Sequence, residues 1–161
     1  MALLLRVINK AKWDQQYNWL ASSDLPADII TDLRTNNNEL SVWSVDFDRC
    51  NLDVVLAAAA AGREHLDKLD YTLLDEAIPT KISIKCRQSP ANTPNQAANS
   101  LHRDLAELTV RKVVDLAHHM MPLRRERITA RQVKELLMDA LQKETLDRAK
   151  MKPKLLEELG F

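Results

Sequence analysis

Two glycines, Gly62 and Gly160, serve all 161 residues. That scarcity constrains the chain more than any other single feature. Glycine lets backbone approach a phosphate closely and takes up left-handed conformations at no steric cost. A dinucleotide fingerprint or a phosphate-cradling loop needs two or three glycines within a few positions. Neither can be written with these two. Where the chain visibly reverses it uses other residues: Asn36-Asn37-Asn38 at one point and Ser89-Pro90-Ala91-Asn92-Thr93-Pro94 at another, in keeping with the turn chemistry of Asn and Pro.

An apolar content of 45% with a net charge of zero describes a chain that can bury a core, not a disordered one. A length of 161 residues suits one domain, spanning 1–161, with segment 88–94 as the one candidate internal junction. Cys50 and Cys86 form neither a CxxC pair nor a disulfide framework. Each reads as a buried apolar residue in a reducing compartment. The apolar start, residues 1–8, is short and follows no basic region, and no 18-residue apolar run comes later. The expectation is a cytoplasmic protein without a membrane segment.

Charge is unevenly spread. Residues 14–79 carry 4 basic and 13 acidic side chains, whereas residues 80–135 carry 11 basic and 5 acidic ones. Such polarity between halves points to a charged partner or to self-association, unless the two halves neutralise each other on folding.

Residues 2–8 read as a buried strand and Leu40–Val45 as a half-buried one, by length and alternation. Ile82–Cys86 alternates as a third. Between them, Pro26 opens a helix carrying Ile29, Ile30 and Leu33, and Asn51 opens another whose apolar stripe runs from Leu52 to Leu69. Thr93-Pro94-Asn95-Gln96 has the form of a helix start, and that helix is expected to run to Met121. Thr129-Ala130-Arg131-Gln132 starts another, expected to end before Pro153, and a last turn over 155–159 stops at Gly160. The fold class expected is α+β. It comprises a small three-stranded sheet with helices in the N-terminal half, then two long helices and a short terminal helix in the C-terminal half.

Asp46 and Asp48 stand out chemically because they follow a strand, where carboxylates can hold a divalent cation through oxygen. Over three residues the spacing is similar to the nucleophile loop of haloacid-dehalogenase-type phosphatases. It departs where Arg49 and Cys50 replace the hydroxyl residue that follows there. Asn51 stands where a calcium-binding loop requires glycine. Asp115, His118 and His119 share a helix, and Asp115 lies within reach of one histidine at a time, an arrangement suited to acid–base work. His118 and His119 diverge by about 100° around a helix and make a poor metal pair. His102-Arg103-Asp104 spells the start of a kinase catalytic loop, but Thr109 replaces the required Asn and no glycine-rich loop exists. Arg124, Arg125, Arg127 and Arg131 form the densest basic stretch, within residues 124–134, and are the candidate phosphate contacts. A pI near 6.9 and the absence of aromatic residues there weaken a nucleic-acid reading. Trp13, Tyr17, Trp19 and Trp43 read as core.

No set of these residues forms a catalytic constellation, so no cofactor or metal is expected. The favoured reading is a non-catalytic interaction or regulatory protein that self-associates or binds a soluble protein partner. The alternatives are a nucleic-acid-binding accessory protein using residues 124–134, and a small metal-assisted hydrolase around Asp46 and Asp48.

Overall fold

The computed structural model describes residues 2–21 and 23–161. In chain order it forms β1 (Ala2–Ile8), α1 (Lys10–Asp14), α2 (Ala27–Asp32), β2 (Leu40–Asp46), α3 (Leu52–Ala61), β3 (Leu69–Asp75), α4 (Ala77–Lys81), β4 (Lys85–Gln88), α5 (Gln96–Asn99), β5 (His102–Ala106), α6 (Val110–Met120), β6 (Arg125–Ile128), α7 (Ala130–Gln142), a 3-10 turn (Arg148–Lys150) and α8 (Pro153–Leu159). Among the described residues no helix is long and apolar enough to cross a membrane.

The expected three-stranded sheet is overturned. Six strands form one sheet in the order β4-β5-β2-β1-β3-β6, and every neighbouring pair is antiparallel. Three strands lie where helix or link was expected. β3 starts at Leu69, whose spacing in the sequence prolongs the stripe of α3. The expected long helix over 93–121 is interrupted by β5 and leaves only α5 and α6. β6 occupies the basic link before Thr129. The second long helix, expected to reach Pro153, ends at Gln142, and a 3-10 turn over Arg148–Lys150 follows. The strand expected at Ile82–Cys86 starts at Lys85, because Ile82 closes α4 and Ser83 takes a φ of 58°. Strands from both sides of segment 88–94 lie in the same sheet.

β1 pairs with β2 over residues 2–5 and with β3 over residues 3–8. Its side chains alternate between two cores, as strand geometry requires. Leu5 joins one core with Val45, Leu69 and Tyr71 of the sheet, covered by α3, α7 and α8. Leu4 and Ile8 join the other with Val42, Leu74 and Leu105, covered by α1, α2 and α6. The result is three layers, with helices on both faces of the sheet. β2 and β3 run parallel to each other across β1, joined by α3 on one face. β5 and β6 run parallel across three strands, joined by α6 on the other face. Strand direction and face both reverse between these crossovers, so they share one hand, as the chirality of such connections demands.

Local chemistry sets several of the ends. Thr129 and Gln132 close a complete capping box at the start of α7, and Gly160 ends α8 with a φ of 99°. Asn37 and Asn38 take φ values of 51° and 59° in the turn before β2. With glycine so scarce, Arg49, Ser83, Glu107 and Glu144 also adopt positive φ, each at a cost of about 1–2 kcal/mol relative to right-handed backbone.

One ion pair fastens the β6 edge. Asp70 is buried on β3 and accepts a fork from Arg127 on β6, Nε to Oδ1 at 2.6 Å and Nη2 to Oδ2 at 3.0 Å. The Lys10 amide at the start of α1 also donates to Oδ2, at 3.1 Å. The guanidinium is the main reason that the Asp70 carboxyl lies below the usual aspartate value. Asp70→Asn removes this charge-assisted fork. Because the Arg127 side chain is 40% exposed, it rehydrates when released, and the expected loss is about 1–2 kcal/mol by chemical denaturation at pH 7. A group held below its unfolded value stabilises above that value and loses its contribution as pH falls through the folded one. The gap between wild type and Asp70→Asn is therefore expected to hold above pH ~4 and to close below it. A gap that persists unchanged at pH 2 would contradict the assignment.

Candidate functional site

Asp46 ends β2, and the chain turns back through residues 47–51 before entering α3. The turn is tied by the Arg49 amide to the Asp46 carbonyl at 2.8 Å and the Leu52 amide to the Arg49 carbonyl at 3.0 Å. Asn51 stands at the expected cap position, but its side chain does not cap α3. Its Oδ1 accepts from the Asp46 amide at 2.9 Å instead. The Cys50 amide donates to Asp48 Oδ1 at 3.1 Å, and the Cys50 thiol donates to Asp46 Oδ2 at 3.1 Å. One ligand atom each from Asp46, Asp48 and Cys50 lies within 4.8 Å of the others.

The electrostatics of this turn run against activation. Asp46 first, then Asp48, push the Cys50 thiol up to about 11, so at neutral pH it stays a thiol and supplies no thiolate to a soft metal or an electrophile. Asp48 is lowered, chiefly by the Cys50 amide. Arg49 points away to Glu126 on β6, 3.0 Å distant. The same Glu126 accepts from the Tyr71 hydroxyl at 3.1 Å, and burial followed by this carboxylate raises Tyr71 to about 12. All three potential donors are exposed. Two carboxylates and a protonated thiol on an open turn do not match the oxygen-rich shell that holds magnesium or calcium, and no reaction step is derived from them.

The other sequence candidates are dispersed. Asp115, His118 and His119 lie on α6, where His119 Nδ1 meets the backbone carbonyl of Asp115 at 2.9 Å, not its carboxylate. Both histidines are exposed. His102 lies on β5, edge-on to Trp43 with ring centroids 5.0 Å apart. Of the arginines, Arg127 is held by Asp70. Arg125 is half-buried, donates to the Met121 carbonyl at 2.7 Å, lies 3.5 Å from Asp14 and faces the ring of Trp13. Arg131 pairs with Glu135 at 3.0 Å along α7. Arg124 points to solvent. Both cysteines are exposed, contrary to expectation, and Trp19 is 75% exposed against the edge of Tyr17. Trp13 is buried, its Nε1 donating to Asp32 at 2.6 Å, and Trp43 is buried in the core beneath α3.

Sequence reasoning missed a broad concavity. It is an open trough of about 710 Å³ beside α7, floored by Leu141, Leu146, Met138 and Phe161. Two smaller hollows, of about 330 and 240 Å³, lie between α7 and α3, and Asp139 borders all three. Met138, Phe161 and Val54 are 38%, 49% and 42% exposed around them. The signal was present in the sequence. Met138 lies about 100° around the helix from the fully buried Leu137, outside the stripe that one core requires.

No protein-family model, curated protein or solved structure matches the chain.

The buffered thiol can be checked directly. At pH 8 a thiol titrating near 11 holds roughly one thiolate in a thousand, against one in ten for an ordinary cysteine, although a more basic thiolate recovers some reactivity. In a Cys86→Ser background, Cys50 is expected to react with a thiol-alkylating reagent about tenfold more slowly than a free cysteine peptide. Adding Asp46→Asn and Asp48→Asn is expected to restore most of that difference. Reaction at the peptide's rate in the parent would refute the geometry of the turn.

Proposed function

We propose that this chain is a non-catalytic interaction protein that docks a protein partner along α7. The carrying observation is the open apolar trough beside that helix, with Met138, Phe161 and Val54 left exposed around it and its smaller neighbours. Exposed apolar side chains gathered on one surface mark an interaction site, whereas single scattered ones do not. The titratable clusters support the same reading. The carboxylates of the β2–α3 turn restrain a thiol, and three of the four candidate arginines are engaged by acidic partners within the chain. A guanidinium already paired in this way has less to offer a phosphate.

The test places a photo-crosslinking amino acid at Met138 or, as a control, at Lys81, which is exposed on α4 on the opposite face. In cells, a discrete adduct is expected at position 138 and not at 81. Equal adducts at both positions, or none at 138, would overturn the proposal. The mass of the adduct tells a second copy of the chain from a different protein.

A further inference from the structure

We infer that the docked element is an amphipathic α-helix whose polar edges carry Lys or Arg, laid along α7. This inference rests on the interaction reading above and names the chemistry of the partner. Shape comes first. Glu135, Met138, Asp139 and Gln142 border the trough from α7, at spacings of three, four and seven. They line it over two helical turns, about 10 Å. The trough is open along that length. A small ligand is normally enclosed over most of its surface, whereas a helix laid in a groove presents one apolar stripe and keeps its other side in water. Met138 suits such a floor, because an unbranched thioether side chain repacks around whatever is placed on it.

Charge selects among helices. Glu135, Asp139 and Glu144 border the trough, and Asp53 borders the two hollows across α7. The cations nearby are engaged: Arg131 pairs with Glu135 at 3.0 Å, Lys143 bonds Asp139 at 2.7 Å, and Arg148 lies over the Phe161 ring at 4.1 Å. Among the described residues Asp53 and Glu144 have no cationic partner. Basic residues flanking an apolar stripe would meet these carboxylates at the rim, speeding encounter and fixing orientation.

The same charges disfavour a second copy in this place. Along α7 the sequence runs Arg131, Glu135, Asp139, Lys143. Packing α7 on α7 antiparallel with the two-fold level with Leu137 would set Arg131 against Lys143 and Glu135 against Asp139, so both of these contacts would join like charges.

The experiment uses the full chain and three synthetic peptides of about eighteen residues. One has leucines at helical spacing with lysine on its polar face. The second carries glutamate in place of lysine, and the third is the lysine peptide with its order scrambled. Fluorescence anisotropy measures binding, and hydrogen exchange locates it. The lysine helix is expected to bind at least about tenfold more tightly than either control, to weaken as salt rises, and to protect residues 135–148. Glu135→Lys with Asp139→Lys, and separately Met138→Glu, are expected to reduce its binding at least about tenfold. The charge-reversal variant keeps the test valid if Met138→Glu melts early. Equal binding of the glutamate helix, or protection confined to other surfaces, would overturn the inference. Concentration-dependent dimerisation abolished by Met138→Glu would replace the basic helix with a second copy, leaving the interaction reading standing. Failure of position-specific crosslinking at Met138 would remove both.

Discussion

The structure depends on the central position of β1. Its backbone is paired on both edges, by β2 and β3, and Leu4 and Leu5 are both buried on successive residues. A strand in that position presents apolar side chains to both faces, so both faces need helices. One helical layer cannot do this, and the chain therefore divides its helices into two. The two crossovers follow. α3 returns over β1 on one face, and α6 returns over three strands on the other. An antiparallel sheet more often leaves one face in water. This one is covered on both, and β1 and β3 lose the alternation by which antiparallel strands are usually recognised.

That loss explains which elements were legible. β1 is legible because a short, continuous apolar run is what a doubly buried strand leaves in sequence. β2 is legible by its alternation. The capping box marks where α7 starts, although nothing local marks its end at Gln142, and Gly160 marks the end of α8. β3, with Leu69, Asp70, Tyr71 and Thr72 all buried in succession, has no period of two, and Leu69 extends the three-four spacing of the preceding helix. β5 is five residues long and opens with His102-Arg103-Asp104. β6 reads Arg-Glu-Arg-Ile, the composition of an exposed linker. Each is a strand by virtue of its neighbours. Asp70 waiting on β3 turns Arg127 from a solvated charge into a sheet contact, and no local propensity contains that information.

The same pairing accounts for the fate of the sequence motifs. The acidic and basic halves of the chain meet across the sheet: Glu39 with Arg87, Asp70 with Arg127, and Asp14 with Arg125. Charge polarity that pointed outward in the linear sequence is spent partly inward. The β2–α3 turn was placed correctly, since Asp46 does end a strand. What the sequence left out was direction. Arg49 faces Glu126, and the carboxylates face Cys50. Hydrogen bonds to the neutral thiol raise its pKa, the opposite of the shift that makes a cysteine nucleophilic. A catalytic reading of that turn requires charges that strengthen one another in a dry cleft, and these lie in open solvent where their fields are weak.

α7 carries the remaining asymmetry. Val133, Leu137 and Ala140 anchor it against α3 and the sheet, which is enough to hold an amphipathic helix in place. Met138 and Phe161 lie outside that buried cluster, 38% and 49% exposed. A helix selected only for stability would place Lys, Glu or Gln at position 138, where they have comparable helix propensity and avoid the cost of wetting a thioether. Nearby charges do not require an apolar neighbour either, since Arg131–Glu135 and Asp139–Lys143 are satisfied along the helix itself. An apolar side chain retained where neither the core nor the helix needs it is accounted for by burial that the isolated chain does not provide.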